Sequence, residues 1–391
     1  MKVYLDNNAT TYLIPEVKKS IRDILNNSLA NPSSVHSDGA AARELLEAAR
    51  WDTAALIGTI PEQVFFTSGA TESNNQILQG ICRVENTRKK IVTTTVEHSS
   101  ILNTCAALEQ MGHEVVYIPV NSQGQIDLDD FYAAVKGGAT LASVQWVNNE
   151  TGILQPIREL GEICRREDVL FHTDAAQAVG KFNIDVENLP IDFLSLTGHK
   201  IHAPKGIGAI YCRQRTLLPS FIFGGPQEQG QRAGTENLLG IVGLGTACRV
   251  RMRVLSEFVE QTSALVKRFE DQVLSTIADM LIIGERSERV CNTTNLMFCR
   301  TDGQALVAQL DSAGISCSQS SACTSSRPEP SYVLRAMGFS EQEAYDCVRF
   351  SFSSSNQPSE VDYVVSTITD ISVRLRSVSD GVLTVREEVT V

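Results

Sequence analysis

Short apolar runs that alternate with helical patterns are the feature that most constrains the fold of this 391-residue chain. Between residues 64 and 212, these runs end in polar side chains or turns, and helix-like segments separate them. Strands joined by such crossovers pair in parallel, and open parallel sheets bind ligands at the carboxyl ends of their strands. We therefore predict an α/β protein with a mainly parallel sheet, whose polar strand ends form one site. The runs are residues 64–66, 90–95, 115–118, 141–147, 169–173, 193–196 and 208–212.

Lys200 and Asp174 are the two strand-end residues that point to a particular chemistry. Lys200 follows the run at 193–196 and a glycine, and Asp174 ends the preceding run. The gap between them leaves room for one crossover, so both can open on the same edge of the sheet. Pyridoxal 5'-phosphate needs such a pair, an amine for its aldehyde and a carboxylate for its ring nitrogen. Taken alone, each residue is equally typical of an ordinary strand end.

Three further strand ends carry candidate site residues. The segment 67–73 is predicted to break a strand and start a helix capped by Thr71, which leaves backbone N–H groups for a phosphate. An ordinary capped helix is the alternative. His98 is either structural or stacks on an aromatic cofactor, and the amides that follow residue 147 can donate to a carboxylate or ring oxygen.

Residues 316–326 form a serine-dense stretch with no apolar period, which predicts an exposed, mobile loop. Cys323 in this loop is then a thiol on a moving segment, or an incidental exposed cysteine, whereas Cys317 is expected to face inward. Arg349 lies in a predicted strand at 348–352. Its guanidinium suits a substrate carboxylate, and a structural salt bridge is the competing interpretation.

Composition limits the remaining function classes. The formal net charge of −12 argues against a broad surface for nucleic acid or anionic lipid, and the 10 cysteines include no C-x-x-C pair that would indicate zinc. The N-terminus becomes polar too early for a signal peptide, and no apolar stretch is long enough to span a membrane. We therefore expect a cytoplasmic protein without membrane or direct nucleic-acid partners. A domain boundary is expected near residues 251–256.

The motifs together resemble the cysteine desulfurases of the NifS/IscS type, in the class V branch of fold type I pyridoxal phosphate enzymes. The similarity runs nearly end to end and rests on many segments at once. They are Tyr-Leu-Asp-Asn-Asn-Ala-Thr-Thr (4–11), Asn-Pro-Ser-Ser-x-His (31–36), Thr-Ser-Gly-Ala-Thr-Glu-Ser (67–73), Glu-His (97–98), Asn-Asn-Glu-Thr-Gly (148–152), His-Thr-Asp-Ala-x-Gln-Ala-Val-Gly-Lys (172–181), Gly-His-Lys (198–200), Arg-Ala-Gly-Thr-Glu-Asn (232–237), Ser-Ala-Cys-Thr-Ser (321–325) and Glu-Pro-Ser-Tyr-Val-Leu-Arg-Ala-Met-Gly (329–338).

The resemblance implies a homodimer with two domains in each protomer. A large cofactor-binding domain would span residues 13–255, and a smaller α+β domain would combine residues 1–12 and 256–391, including the cysteine loop at about 316–330. It also implies roles for the site residues. Lys200 would hold the cofactor as a Schiff base, and Asp174 would pair with its pyridine nitrogen. His98 would stack on the ring, and Gln177 would bond the phenolic oxygen. The phosphate would be held by Ala70, Thr71, Thr197 and His199, with Thr235 from the other subunit, and the substrate carboxylate would be bound by Asn149 and Arg349.

The implied reaction converts L-cysteine to L-alanine and leaves a persulfide on Cys323, with Lys200 and His98 as the proton-handling groups. The sulfur then passes to an acceptor protein, for which iron–sulfur cluster assembly is the default. The same chemistry dedicated to tRNA thiolation or DNA phosphorothioation is an alternative. A class V aminotransferase or lyase and an inactive sulfur-relay scaffold are rivals, against which Cys323 and the Lys200–Asp174 pair argue.

The chain departs from the family pattern at three places. The family's Ser-Ser-Gly-Ser-Ala-Cys is replaced by a segment with Gln319 and Ser320 before the cysteine, and a family His-Gln-Glu-Arg has Pro226 and Gln229 at its ends. Ser354 stands where an arginine is often found. These changes bear on the loop and on the acceptor surface rather than on the chemistry.

Overall fold

The computed structural model describes the backbone of residues 1–27, 30–83, 89–319 and 329–388, with side chains as far as residue 377. The strands of this part of the chain are β1 Val3–Tyr4, β2 Val64–Thr67, β3 Lys90–Thr94, β4 Glu114–Ile118, β5 Leu141–Ser143, β6 Leu170–Asp174, β7 Phe193–Thr197, β8 Gly208–Cys212, β9 Met280–Ile282, β10 Thr293–Phe298, β11 Ile315–Ser316, β12 Ser318–Gln319 and β13 Cys347–Ser351. The helices are α1 Pro15–Asn26, α2 Ser37–Ile57, α3 Ala70–Arg83, α4 Ser99–Gln110, α5 Leu128–Val135, α6 Ile157–Arg166, α7 Leu238–Thr276, α8 Gly303–Ser312, α9 Tyr332–Ala336, α10 Glu341–Tyr345 and α11 Pro358–Glu388.

A seven-stranded sheet forms the larger layer, in the order β2-β8-β7-β6-β5-β3-β4. Strands β4, β3, β5, β6 and β7 pair in parallel, and β8 runs antiparallel to both of its neighbours. The prediction of a mainly parallel sheet is confirmed. The carboxyl ends of β2, β3, β5, β6 and β7 therefore share one edge, which is where the candidate residues lie.

A second, four-stranded sheet has the order β12-β13-β10-β9, and β1 pairs in parallel with β11. Its core includes Phe269, Phe298, Phe350 and Phe352, which are fully buried or nearly so, and forms a cluster separate from the one under the large sheet. Helix α7 contributes its first half to the large cluster and its second half to the small one. It runs unbroken through the boundary expected near residue 255, so the domain division stays a prediction.

Three local expectations were wrong. Helix α3 begins at Ala70, so Thr71 lies in its first turn and is not the cap; Glu72 instead reaches back to accept from the Ser68 N–H group at 2.9 Å. The strand expected at 141–147 ends at Ser143, because the buried Glu97 carboxylate takes the Gln145 N–H group out of the sheet ladder.

The third wrong expectation is the start of the serine-dense loop at residue 316. Residues 315–316 and 318–319 are strands, and Ser318 is buried because β12 pairs with β13 and its hydroxyl donates to the Asp6 carboxylate at 2.9 Å. Cys317 between them is half-buried against the cluster around Phe269, as expected.

The described residues include no helix with the length and apolar character that a membrane crossing needs. They also include no cluster of three or more His, Cys, Asp or Glu side chains arranged as metal ligands.

Candidate active site

Lys200 lies in a single turn, Gly198–Lys200, directly after β7. Its Nζ donates to the backbone carbonyl of Ala9 at 2.8 Å and to that of Asn8. The N-terminal segment therefore folds over the strand end and holds the amine at the carboxyl edge of the sheet.

Asp174 ends β6, the neighbour of β7, and only 6% of its surface is exposed. Its Oδ2 accepts from Asn74 Nδ2 at 2.8 Å, and its Oδ1 accepts from the Ala176 N–H group at 2.9 Å. The same Asn74 amide donates to the Ser100 hydroxyl at 2.9 Å. The carboxylate is thus held in place by neutral donors.

His98 caps the N-terminus of α4, where its Nδ1 accepts from the Ser100 N–H group at 3.1 Å. Burial lowers the pKa of His98, while Asp174 raises this pKa and Lys200 lowers it. These effects place the imidazole within electrostatic reach of both groups. A neutral ring bonded in this way carries its proton on Nε2 and presents a donor.

The N-terminus of α3 faces the same edge. Gly208 packs so closely here that a Cβ on it would lie 2.6 Å from the Gly69 Cα. Ala70 and Thr71 open the helix, and the first N–H groups of a helix have no acceptor within it. The Thr197 hydroxyl at the end of β7 lies near Gly69, because a Cβ there would be 3.6 Å from Thr197 Oγ1. Together they leave N–H groups and a hydroxyl at one corner of this edge, an arrangement that suits an anion.

His199 lies beside this corner. Its Nδ1 lies 3.3 Å from the Thr10 hydroxyl. Burial, followed by the charges of Lys200 and Lys205, lowers the pKa of His199 to about 4. The ring is therefore neutral at pH 7 and can donate a hydrogen bond without adding charge.

Gln177 belongs to a buried group of amides around Asn8. Gln177 Nε2 donates to the Asn8 carbonyl at 3.0 Å, and its Oε1 accepts from Lys181 Nζ at 2.7 Å. Lys181 also donates to Asn8 Oδ1 at 3.1 Å. The Asn8 carbonyl thus accepts from both Gln177 and Lys200, which joins the two predicted cofactor-binding residues.

Arg349 lies on β13 of the second sheet and reaches the same region. Its Nη1 donates to the Asn149 carbonyl at 2.9 Å, and its Nη2 forms an ion pair with Asp6 at 2.8 Å. Two buried atoms, Arg349 Nε and Asn149 Oδ1, have no hydrogen-bond partner among the described residues. The structural salt bridge considered from the sequence is present, and one donor of the guanidinium remains for a ligand.

Two predicted site residues are not brought into this group. Thr235 is exposed on the loop before α7 and makes no hydrogen bond with the described residues. Cys323 and the departure at Ser320 lie outside the residues that the structure describes. The departures at Pro226 and Gln229 flank Glu228, whose carboxylate is bound by Arg50 at 2.7 and 2.8 Å.

Four residues that organise the site were not predicted from the sequence: Asn8, Asn74, Glu97 and Lys181. Asn8, Glu97 and Lys181 stand in the motifs quoted above, but no local pattern reveals their partners. Glu97 is fully buried, and burial raises the pKa of its carboxyl to about 8. Glu97 lies one residue before His98 and accepts a hydrogen bond from the Gln145 N–H group after β5. It therefore positions the segment that carries the His98 imidazole.

These residues fit pyridoxal 5'-phosphate. A buried carboxylate with only neutral donors suits a protonated ring nitrogen, and an amine lies at the neighbouring strand end. The open N–H groups of α3, with the Thr197 hydroxyl beside them, suit a phosphate.

Comparison with known proteins agrees with this chemistry. Residues 3–364 match the family model "Aminotransferase class-V". A cysteine desulfurase from Nostoc sp. is 40% identical over 377 residues, which cover 96% of this chain and 94% of that protein. A solved structure described as a NifS-like protein has a TM-score of 0.90 at 33% identity and covers 96% of this chain and all of its own. Another, described as SspA in complex with cysteine, has a TM-score of 0.80 at 34% identity and covers 90% of this chain and 99% of its own.

The chain therefore belongs to the class-V aminotransferase family, a family of pyridoxal phosphate-dependent enzymes. Within that family it groups with the cysteine desulfurases, including the NifS-like proteins. The predicted family, fold type, enzyme class and cofactor are confirmed.

Proposed function

We propose that this protein is a cysteine desulfurase that converts L-cysteine to L-alanine and carries the released sulfur as a persulfide on Cys323. The observation that carries the proposal is the meeting of Lys200, Asp174 and His98 at one sheet edge, in a chain 40% identical to a cysteine desulfurase. Arg349 and Asn149, on separate elements, approach this edge with buried polar atoms that a substrate can satisfy.

Each side chain has a definite task in this proposal. Lys200 holds the cofactor through Nζ, Asp174 pairs with its ring nitrogen, Gln177 bonds its phenolic oxygen, and Ala70, Thr71, Thr197 and His199 hold its phosphate. The bound cofactor supplies an electron sink that acidifies the α-hydrogen of the substrate. Thr235, exposed in the single chain, would reach the phosphate of the other subunit in a homodimer.

Arg349 and Asn149 would orient the substrate, and Lys200 Nζ would remove the α-proton. The Cys323 thiolate then attacks the substrate sulfur, so that an S–S bond forms and the bond from that sulfur to the β-carbon breaks. The electron pair of the broken bond stays with the carbon fragment, which takes up a proton and leaves as alanine. Sulfur, carbon and hydrogen balance without an outside oxidant.

His98 has a narrower role in this geometry than the sequence suggests. Its Nδ1 lone pair is engaged by the Ser100 N–H group, so Nε2–H is available as a donor toward the cofactor. The predicted acceptor role stays a prediction, and it requires that Nδ1 release Ser100.

The persulfide then passes to a sulfur-acceptor protein, with iron–sulfur cluster assembly as the proposed destination. We also propose that the enzyme works in the cytoplasm as a homodimer. These proposals rest on the similarity to the NifS/IscS group.

The test compares two cysteines six positions apart. Purified, cofactor-loaded wild type, Cys323→Ala and Cys317→Ala are incubated with L-cysteine and a reductant, and alanine and sulfide are measured. Removing the nucleophile should lower both rates by at least about a hundredfold. Cys317→Ala should stay near wild type, because burial raises the pKa of Cys317 and keeps it a thiol. A Cys323→Ala enzyme with the normal rate would refute the proposal.

A further inference from the structure

A small cavity of about 10 Å³ lies beside Lys200, between the large sheet domain and the second sheet. Its lining includes four basic residues, Lys181, Lys200, His202 and Arg251, and contains no Asp or Glu. Of the residues assigned to the cofactor, Lys200 lines it, whereas Asp174, His98 and Gln177 do not.

Arg251 brings a buried charge to this cavity. It is 6% exposed, and its guanidinium carbon lies 3.8 Å from the centre of the Phe258 ring. Among the described residues, its Nη1 is buried without a hydrogen-bond partner, and Arg251 takes part in none of the ion pairs. Burial lowers the pKa of Arg251 to about 10, which leaves it cationic at neutral pH. A buried charge of this kind is costly unless an opposite charge meets it.

Lys181 is the second buried cation. It is 4% exposed, and its Nζ donates to the neutral amide oxygens of Gln177 and Asn8. Burial lowers the pKa of Lys181 to about 7, and the charges of Lys200, Arg251 and Arg349 act in the same direction. The ammonium form thus has two amide acceptors and three cationic neighbours.

The neighbouring titratable groups do not supply the missing negative charge. Burial raises the pKa of the Cys291 thiol, which donates to the Lys181 carbonyl at 3.7 Å and is therefore neutral. Burial lowers the pKa of His202 to about 4, and its neutral ring donates from Nδ1 to the Tyr12 carbonyl at 2.8 Å. The Asp6 carboxylate is already bound by Arg349 and Ser318.

We propose that this cavity binds one monatomic anion of the halide class, such as chloride, between Arg251 and Lys181. A space near the lower limit for one small particle favours a monatomic anion over phosphate, sulfate and carboxylates. A water molecule fills the same space but leaves the Arg251 guanidinium without a counter-charge. The site joins residues beside the large sheet to Asn292, Phe352 and Ser353, which flank strands β10 and β13 of the second sheet, so the bound anion stabilises the contact between them.

Anomalous diffraction from the cofactor-loaded enzyme tests the site directly. Crystals grown without halide are transferred to sodium bromide, and data are collected on both sides of the bromine absorption edge. Wild type should show a bromide peak between the Arg251 guanidinium and Lys181 Nζ. Arg251→Met should lose this peak, and Arg253→Met, which removes an exposed arginine from the same helix, should keep it. An ordered water with no anomalous signal in wild type would overturn the proposal.

A solution measurement on the same holoenzyme covers the case in which Arg251→Met folds poorly. The thermal midpoint of wild type is followed as sodium gluconate is exchanged for sodium bromide at constant ionic strength. A saturable rise of about 2 °C is expected at a tenfold excess of bromide over its dissociation constant. Arg253→Met should show the same rise. A wild-type midpoint that does not respond to bromide would contradict the site, and so would an equal rise in Arg251→Met.

Discussion

Lys181 shows how a single residue can set the direction of two amides. An ammonium group only donates hydrogen bonds, so the oxygens of Gln177 and Asn8 must face it. The NH2 group of Gln177 is then turned toward the Asn8 carbonyl and the proposed cofactor position. Lys181 is thus a positioning residue for Gln177.

Replacing Lys181 by Met should therefore change the electronic environment of the cofactor. We expect kcat to fall about tenfold, which corresponds to the loss of one ordinary hydrogen-bonded contact in the transition state. We also expect the pH midpoint of the cofactor's visible absorbance to shift. Lys267→Met, at an exposed lysine, is the control. An unchanged absorbance titration in Lys181→Met would contradict the positioning role.

Arg349 is expected to act mainly on substrate binding. Arg349→Lys keeps the charge but loses the forked geometry that bonds Asp6, Asn149 and a ligand together. The KM for L-cysteine should rise about 10- to 100-fold, since charge-assisted hydrogen bonds contribute about 1.5–3 kcal/mol. Steady-state kinetics measure it, with Arg268→Lys, at an exposed ion pair with Asp362, as the control. A KM within twofold of wild type would argue against Arg349 as the carboxylate ligand.

His172 should make the fold sensitive to acid. It is fully buried between the hydroxyls of Ser143 and Ser195, and burial lowers its pKa from 6.5 to about 4. Between these values only the unfolded chain takes up the proton, so the contribution is complete above pH 6.5 and is lost as the pH falls to 4. The loss amounts to about 3 kcal/mol in the free energy of unfolding.

The measurement is denaturant unfolding between pH 6.5 and 4 for wild type and His172→Gln. The variant should be less stable at pH 7 and should show a shallower decline toward pH 4. His36→Gln, at an exposed helix cap, should retain the wild-type slope. Equal slopes in His172→Gln and wild type would show that this residue does not titrate as described.

The contact between helices α2 and α7 requires a glycine at position 245. A Cβ on Gly245 would lie 2.5 Å from the Ala49 Cα, which belongs to the backbone of α2 and cannot move away without the rest of that helix. Gly245→Ala should therefore lower the free energy of unfolding by about 1–3 kcal/mol despite its better helix propensity. In Gly80→Ala the nearest atoms are 3.3 Å away on the Pro219 ring, so that variant should be near neutral. Chemical denaturation distinguishes them, and equal effects would contradict this packing.

The elements also show what could be predicted from the sequence. The apolar runs that became β6 and β7 placed Asp174 and Lys200 correctly at one edge, because strand ends in a parallel sheet are fixed by local pattern. Strand β12 was missed because its order depends on β13 and on Asp6, which is 312 residues away from Ser318. The shortening of β5 depends likewise on the Glu97 carboxylate, 48 residues away from Gln145. Such long-range partners leave no signal in a short window of sequence.

For the molecule as a whole, the cluster under the large sheet and the cluster around Phe269 are joined by α7 and by the N-terminal segment. Residues Leu5 to Ala9 touch both sides: Leu5 is buried in the small cluster, while the Asn8 and Ala9 carbonyls hold Lys200. The carboxylate-binding candidate Arg349 comes from one sheet and the cofactor residues from the other. The proposed active site therefore needs both parts of the chain, which explains why motifs from residue 4 to residue 349 contribute to it.

The transfer of the substrate sulfur to Cys323 can be tested by following the sulfur atom itself. The cofactor-loaded protein is incubated with L-cysteine without reductant, its free thiols are alkylated, and its peptides are analysed by mass spectrometry while alanine is quantified. We predict one added sulfur atom on the peptide that contains Cys323 and one alanine formed for each sulfur bound. Alanine formed with no added sulfur at Cys323, or sulfur found only on other cysteines, would contradict it.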